Sequence, residues 1–203
     1  MTLTFFHSPG SCSIGIHLLL NEVGASFETR VVNVREKQQF KPEYLAVNPK
    51  GKVPALAISD SQTLTEFQAI AFWIANSFPA AGLWPDELIA RTRTLEALDY
   101  IVASVHMRGF TFVKQPHKFH DDPAAQEAIK AWGRSEVIRG LRNLSNMLGE
   151  KDYLLGDFGL PDAALFYVLH WAELDGFDIP DNLVRCLARL RERPAVAQMR
   201  AQG

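Results

Sequence analysis

The run Asn48-Pro49-Lys50-Gly51-Lys52-Val53-Pro54-Ala55-Leu56 places a proline directly before an apolar segment. Proline has no backbone N–H, so within a sheet it is confined to the first residue of a strand or to an edge strand. If the Val53-Pro54 bond is cis, the carbonyl and the N–H of Val53 face outward without a sheet partner and can clamp a peptide-like ligand. The alternative is an ordinary trans proline that opens a strand.

The residues on both sides of this run predict a βαβαββα arrangement. Residues 3–6 and 27–34 are apolar or β-branched runs bounded by turn formers, which is typical of strands. An apolar periodic run over 12–23, closed by Gly24, predicts a helix between them, with a right-handed crossover. A helical turn over 42–47, strands at 54–58 and 63–64 and a helix over 66–77 complete the pattern.

Strand patterns stop where prolines and a glycine cluster. We interpret 79–85, which contains Pro79, Gly82 and Pro85, as a linker. Helical periodicity then extends over 86–113, 123–149, 161–174 and 183–192. The sequence therefore predicts an α/β domain at 1–78 and an all-helical domain at 86–203.

The composition limits the classes of partner. The 203 residues are 47% hydrophobic and 22% charged, as in a globular protein with a buried core, and the net charge of -2 gives no electrostatic case for nucleic acid or an anionic membrane. The two cysteines, Cys12 and Cys186, lie far apart and no signal-peptide pattern precedes them, so we expect free thiols in a reducing cytoplasm. The apolar stretch 163–172 is too short to span a bilayer. We expect a small molecule or a second copy of the chain as partner.

Cys12 lies where the loop Ser8-Pro9-Gly10-Ser11 meets the first turn of a predicted helix. The unsatisfied N–H groups and the positive dipole end of a helix favour a thiolate, so the position predicts a lowered pKa and a nucleophilic role. The alternative is an inert, buried cysteine, which is common. Cys186, within an apolar periodic run, is interpreted as a core residue.

Thr65, Glu66 and Gln68 stand at the start of another predicted helix. Thr-x-x-Gln is the pattern of a capping box, and on sequence grounds alone this structural interpretation is preferred. The functional alternative is that the N–H groups of this helix start hold a ligand carboxylate while Glu66 binds an ammonium group.

Histidines and one aspartate complete the candidate residues. His106 falls on a long helix, and His117 and His120 lie in a loop without cysteine or carboxylate ligands at zinc spacing, so we predict no metal site. Asp162, which follows Gly159-Leu160-Pro161 at the head of an apolar helix, is interpreted as a structural acceptor of backbone N–H bonds.

Several motifs, taken together in order and spacing, resemble the bacterial cytosolic glutathione transferases, most closely their beta class. They are Ser8-Pro9-Gly10-Ser11-Cys12-Ser13, the proline run quoted above, Leu64-Thr65-Glu66, Gly159-Leu160-Pro161-Asp162-Ala163-Ala164 and Arg193-Pro194-Ala195-Val196. The resemblance covers essentially the whole chain. It implies a thioredoxin-like N-terminal domain, an all-helical C-terminal domain, a homodimer, and a cis Val53-Pro54 bond.

The resemblance also implies roles for individual residues. Val53 would pair with the cysteinyl backbone of glutathione, Glu66 and the start of its helix would hold the γ-glutamyl end, and Cys12 would lie near the glutathione sulfur. His106 matches a histidine of the same pocket and is, with Cys12, the implied catalytic pair. The implied glutathione contacts are Ser13, Lys37, Lys52, Val53, Pro54, Glu66 and Phe67. The implied hydrophobic co-substrate contacts are Tyr100, Arg108 and Phe110.

Three positions depart from the family pattern. Phe67 stands where a serine or a small residue is usual, so the hydroxyl donor to the γ-glutamyl carboxylate is missing. Gly159 replaces the usual Ser/Thr N-cap, which costs only a few tenths of a kcal/mol. Met107 and Arg108 follow His106 where a lysine is frequent.

Two functions remain open at this point. The first is a glutathione-dependent enzyme that conjugates glutathione, as substrate, to small hydrophobic electrophiles, with thiol-disulfide exchange through Cys12 as a second reaction to be tested. The second is a non-catalytic binding or interaction protein with an altered glutathione site. Phe67, which lacks the usual hydroxyl donor, is the residue that suggests it.

Overall fold

The computed structural model describes residues 3–202, which form two compact units. The first unit is the chain up to Trp84 together with the chain from Leu190, and the second is Pro85–Arg189. In chain order the elements are β1 (Leu3–His7), α1 (Ser13–Glu22), β2 (Phe27–Val31), α2 (Pro42–Leu45), β3 (Ala55–Ser59), β4 (Gln62–Thr65), α3 (Phe67–Ser77), α4 (Leu88–Asp99), α5 (Thr111–Lys114), α6 (Pro123–Leu148), α7 (Leu160–Leu174), α8 (Asp181–Arg191) and α9 (Pro194–Ala201). Tyr100–Phe110, between α4 and α5, is π-helical.

The first unit is built on a four-stranded mixed sheet in the order β2-β1-β3-β4. β1 and β2 are parallel, and β3 pairs antiparallel with both β1 and β4. Successive side chains of a strand point to opposite faces, so the two phenylalanines of β1 serve different layers. Phe5 packs against His17 of α1, whereas Phe6 packs with Val32, Tyr44 and Ala55. This is the thioredoxin-like βαβαββα order that the sequence predicts, which the structure confirms.

The second unit is helical, and some of its helices are in close contact at glycine residues. A Cβ atom at Gly133 of α6 would lie 2.8 Å from Cβ of Phe112 and 3.0 Å from the backbone oxygen of Gly109. α7 is buried along most of its length. No helix within residues 3–202 is long and apolar enough to cross a membrane.

Asp162 has the structural role that the sequence predicts. Its buried carboxylate accepts hydrogen bonds from the backbone N–H groups of Leu154, at 2.9 Å, and Gly159, at 3.0 Å. The carboxylate therefore fixes the start of α7 although Gly159 supplies no side-chain cap. Cys186 is fully buried in α8, which confirms its interpretation as a core residue.

The C-terminal segment packs on the first unit, through a helix that the sequence does not predict. Arg193 forms a two-point ion pair with Glu22, and Gln202 Oε1 accepts hydrogen bonds from His17 Nε2 at 2.7 Å and from Asn21 Nδ2 at 3.2 Å. The expected helical domain at 86–203 therefore differs from the structure at its C-terminal end, where the chain from Leu190 belongs with the α/β unit.

The second predicted strand is too long. β2 ends at Val31 rather than at 34, because Asn33 Oδ1 accepts hydrogen bonds from the N–H groups of Arg35, at 3.0 Å, and Glu36, at 3.4 Å. An asparagine side chain that bonds to the backbone two residues on stabilises a turn instead of a strand.

Candidate active site

Cys12 directly precedes α1, in a loop that connects it to β1. Its thiol is partly buried and donates a weak hydrogen bond to the carbonyl oxygen of Val53, with Sγ 3.7 Å from that oxygen. The contact joins two segments that are 41 residues apart in sequence. Cys12 and the Val53-Pro54 step therefore lie together in the first unit.

The prediction of a lowered pKa for Cys12 is wrong for the chain on its own. Burial raises the pKa of this thiol to about 12, and the negative charge of Glu66 acts in the same direction. The backbone hydrogen bond at Cys12 and the charge of Lys52 lower the pKa, but they do not offset the loss of solvation. At neutral pH Cys12 is therefore a neutral thiol.

Ser13, the residue after Cys12, is fully buried and its hydroxyl is engaged within the protein. Ser13 Oγ lies 2.7 Å from His7 Nδ1 and 2.6 Å from Ser11 Oγ, and it accepts the N–H of Ser8 at 3.1 Å. This cluster ties the end of β1, the loop and the first turn of α1 to each other. The side chain of Ser13 organises the loop from within instead of facing a ligand.

The Val53-Pro54 peptide bond is cis, which confirms the expectation drawn from the family resemblance. The segment before it is held by the carbonyl of Lys52, which accepts hydrogen bonds from Tyr44 Oη at 2.6 Å and from Asn48 Nδ2 at 2.7 Å. Pro54 is buried and Val53 is half-buried. The hydrogen bonds of Tyr44 and Asn48 to the preceding carbonyl therefore hold the backbone of Val53 in place.

Glu66 precedes α3 with a backbone conformation that is rare for residues other than glycine, at φ 70° and ψ 131°. Its side chain makes no capping bond to α3, and its carboxylate pairs with Lys50, whose Nζ lies 2.7 Å from Oε1. Nζ of Lys50 also donates to Thr65 Oγ1 at 2.9 Å. The carboxylate of Glu66 is thus exposed and already holds an ammonium group.

The predicted capping box at Thr65 is wrong. Thr65 is the last residue of β4, and α3 begins at Phe67, so Thr65 is one residue too early to cap the helix. Phe67 itself is buried, only 4% exposed. At this position the chain therefore places an apolar side chain in the core of the first unit, where the family pattern has a small polar one.

Lys37 and Lys52, the two lysines expected to contact ligand carboxylates, are both exposed. Lys37 has a left-handed backbone, at φ 58°, and precedes the short 3-10 turn Gln38–Phe40. Lys50, which the sequence does not single out, is the lysine that contacts Glu66.

The second unit contains the other predicted site residues. His106 lies in the π-helical segment with Nδ1 3.2 Å from Tyr167 Oη, and its ring packs edge-on against Tyr167 and Trp171, with centroids 5.5 and 4.9 Å away. Two aromatic rings and a phenol hydroxyl thus fix the orientation of the imidazole.

The three predicted co-substrate residues do not lie together. Tyr100 and Arg108 line a cavity of about 230 Å³ between the π-helical segment and α6, where Tyr100 Oη accepts from Asn143 Nδ2 at 2.7 Å. Phe110 is fully buried, with its ring centroid 5.5 Å from that of Trp171. Phe110 is a core residue of the second unit.

Two contributors are missing from the sequence prediction, His7 and Lys50. His7 reaches the Cys12 loop through Ser13, six residues away, and no local pattern indicates such a contact. Lys50 stands two residues before Lys52 in the same run, so the presence of a second lysine there is the sequence signal that could have indicated its role. Residues 3–202 hold no cluster of three or more potential metal ligands.

Comparisons with known proteins agree with this arrangement. Residues 10–77 match the family model described as glutathione S-transferase, N-terminal domain. Glutathione S-transferase GstA of Escherichia coli O157:H7 is 35% identical over 202 residues, which cover 96% of this chain and 95% of that protein. The crystal structure of a glutathione transferase homologue from Sulfitobacter, with bound glutathione, superposes with a TM-score of 0.92 at 28% identity, covering 100% of this chain and 98% of the other. The beta-class glutathione S-transferase of Sphingomonas chungbukensis gives 0.85 at 32% identity, covering 98% of each chain.

Proposed function

The chain belongs to the glutathione S-transferase family, and from that premise we propose that it conjugates glutathione to small hydrophobic electrophiles. The observation that carries the proposal is the contact between Cys12 Sγ and the carbonyl oxygen of Val53, at 3.7 Å, within the first unit. A tripeptide whose cysteinyl backbone pairs with Val53 brings its own sulfur next to Cys12. Related proteins named as transferases favour catalysis over the non-catalytic alternative.

The remaining glutathione contacts follow from the positions of the charged groups. Glu66 binds the γ-glutamyl ammonium, which replaces the ammonium of Lys50 that now lies 2.7 Å from its carboxylate. The positive end of the α3 dipole favours the γ-glutamyl carboxylate. Lys37 and Lys52, both exposed, attract the glycine carboxylate, and Pro54 is the buried second residue of the cis Val53-Pro54 step.

Phe67 supplies no hydroxyl to the γ-glutamyl carboxylate, so this end of the ligand depends more on Glu66 than the family pattern implies. The hydroxyl of Ser13 is committed to His7 and the loop serines, so Ser13 contributes by shaping the loop. Both departures concern the fit of glutathione and leave the Val53 backbone unchanged.

The raised pKa of Cys12 favours a donor role over a nucleophilic one. A neutral thiol can donate a hydrogen bond to the thiolate of bound glutathione, which attacks the electrophile and expels its leaving group. Thiol-disulfide exchange is the second candidate reaction, since the thiol of Cys12 is free. In it the Cys12 thiol gives up its proton as its sulfur attacks the glutathione sulfur of a mixed disulfide, and the other sulfur leaves and takes up a proton to become a free thiol. A second glutathione then regenerates the Cys12 thiol as glutathione disulfide forms.

The other residues that the family resemblance implies lie in the second unit. His106, held by Tyr167 and Trp171, is the polar group we assign to the reaction, and Tyr100 and Arg108 contribute to electrophile binding. Phe110, which is fully buried, contributes by packing within the second unit. We propose further that the protein works as a homodimer in the reducing cytoplasm, as the family resemblance and the two free thiols suggest.

One variant separates the two reactions. Cys12→Ala should retain conjugation of glutathione to an aryl halide at a reduced rate and lose glutathione-dependent reduction of a small mixed disulfide. Cys186→Ala is the matched control, because Cys186 is buried in α8, and it should change neither rate beyond the effect of stability. If Cys12→Ala leaves both rates unchanged, the role assigned to Cys12 is wrong. If the wild-type protein catalyses neither reaction, the proposed function is wrong.

A further inference from the structure

Ser13 Oγ is the centre of a buried hydrogen-bond cluster beside Cys12. It lies within hydrogen-bond distance of His7 Nδ1, at 2.7 Å, Ser11 Oγ, at 2.6 Å, and both the N–H and the carbonyl of Ser8, at 3.1 and 3.2 Å. The backbone N–H of Ser13 returns to Ser11 Oγ at 3.2 Å. These contacts enclose the loop on both sides of Cys12.

The count of donors and acceptors in this cluster makes His7 Nδ1 the final acceptor of its hydrogen bonds. A hydroxyl has one hydrogen to donate and two lone pairs with which to accept. When the N–H of Ser8 and the hydroxyl of Ser11 occupy the lone pairs of Ser13 Oγ, its own hydrogen is free for His7 Nδ1. This arrangement pairs every hydrogen within the cluster, and it requires an imidazole whose Nδ1 accepts.

The surroundings of His7 keep the imidazole neutral, so that its Nδ1 is able to accept the hydrogen of Ser13. His7 is only 3% exposed, at the end of β1, and its ring lies against those of Phe5 and His17, with centroids 5.5 and 5.1 Å away. Burial, together with a smaller effect of His17, the titratable group that faces it from α1, lowers the pKa of His7 to about 4. Burial also lowers the pKa of His17. Neither histidine carries a proton that would reverse the bond to Ser13 near neutral pH.

We propose that His7 is a positioning residue, which through Ser13 holds the Ser8–Cys12 loop and keeps the Cys12 thiol sheltered against the Val53 carbonyl. The catalytic consequence rests on the proposed function, because a displaced loop would misplace the thiol relative to glutathione. The sheltering of Cys12 does not depend on that function. The two parts can therefore be tested separately.

Two substitutions at position 7 separate the hydrogen bond from the packing. His7→Phe keeps an aromatic ring and removes the acceptor, whereas His7→Asn loses the ring and keeps a polar atom at the position of Nδ1. The measurement is the rate at which iodoacetamide alkylates each cysteine of the folded protein, resolved by peptide mass mapping. Cys186, fully buried in the second unit, is the internal reference for global unfolding.

Cys12 in His7→Phe should be alkylated at least about tenfold faster than in the wild type, which corresponds to the loss of one buried hydrogen bond. Cys186 should stay protected, and His7→Asn should return Cys12 to within about threefold of the wild-type rate. Glutathione conjugation should fall in His7→Phe and recover in His7→Asn. Should His7→Phe not fold, Ser13→Ala removes the same bond and is expected to give the same Cys12-specific acceleration.

Three results would overturn the proposal: an unchanged Cys12 rate in His7→Phe, an equal acceleration of both cysteines, or no recovery in His7→Asn. The proposed function fails differently. If the wild type shows no glutathione turnover while alkylation follows the expected order, the function is wrong and the positioning role of His7 stands.

Discussion

The stability of this protein should fall on acidification because His7 is buried as a neutral imidazole. The pKa of His7 drops from 6.5 to about 4 on folding, so between these values the unfolded chain binds a proton that the folded chain does not. The free energy of unfolding therefore rises with pH across this window and is lost as pH falls through it. A shift of this size corresponds to about 3 kcal/mol at roughly 1.36 kcal/mol per pKa unit. His17 contributes in the same direction.

Urea unfolding at a series of pH values between the two pKa values measures this effect. His7→Asn removes the titrating group, so the stability difference between wild type and variant should shrink by about 3 kcal/mol as the pH falls from 6.5 to about 4. Carboxylate protonation in the same range affects both proteins and cancels in the difference. His117→Gln, at an exposed position, is the control and should show the wild-type pH dependence. Parallel pH curves for wild type and His7→Asn would refute the reasoning.

Three further changes test other parts of the account. Lys50→Met should tighten glutathione binding because it frees the carboxylate of Glu66. The gain should be less than about fivefold because exposed ion pairs are weak. Weaker binding by calorimetry would show that Lys50 assists the ligand instead. Gly133→Ala should lower the free energy of unfolding by about 2–3 kcal/mol because its Cβ meets backbone atoms of the adjoining helix, and urea curves that coincide with wild type would contradict this close contact. Gln202→Ala should cost about 1–2 kcal/mol in the same assay, because it removes the hydrogen-bond partner of the buried His17 Nε2; no change would mean that this terminal contact is absent in solution.

The sequence predicts the elements of the first unit well because the signals are local. The proline at position 54 and the apolar runs on either side locate β3, whereas the cis bond was expected from the family resemblance. The errors at β2 and α3 are also local. Asn33 is compatible with a strand or with a turn, and Thr65 is compatible with a strand end or with a helix cap, and tertiary packing selects between these structures. The periodicity of the sequence does not distinguish between these alternatives.

The candidate site was predicted less completely because its decisive contacts are distant in sequence. The pKa of Cys12 depends on how deeply its loop is buried. The effect of the helix dipole can be inferred from sequence, but the depth of burial cannot. The contact between His17 and Gln202 spans 185 residues, and no pattern within α1 indicates it. Phe67 is recognised as unusual from sequence, but only the structure shows that its ring enters the core.

The most direct test of the central claim is a calorimetric titration of the wild-type protein and Glu66→Gln with glutathione at neutral pH. The account predicts saturable heat for the wild type, with one glutathione per chain, thermal stabilisation that grows with ligand concentration, and clearly weaker binding to Glu66→Gln. The absence of both heat and thermal stabilisation at millimolar glutathione, in a wild-type protein shown to be folded, would contradict it.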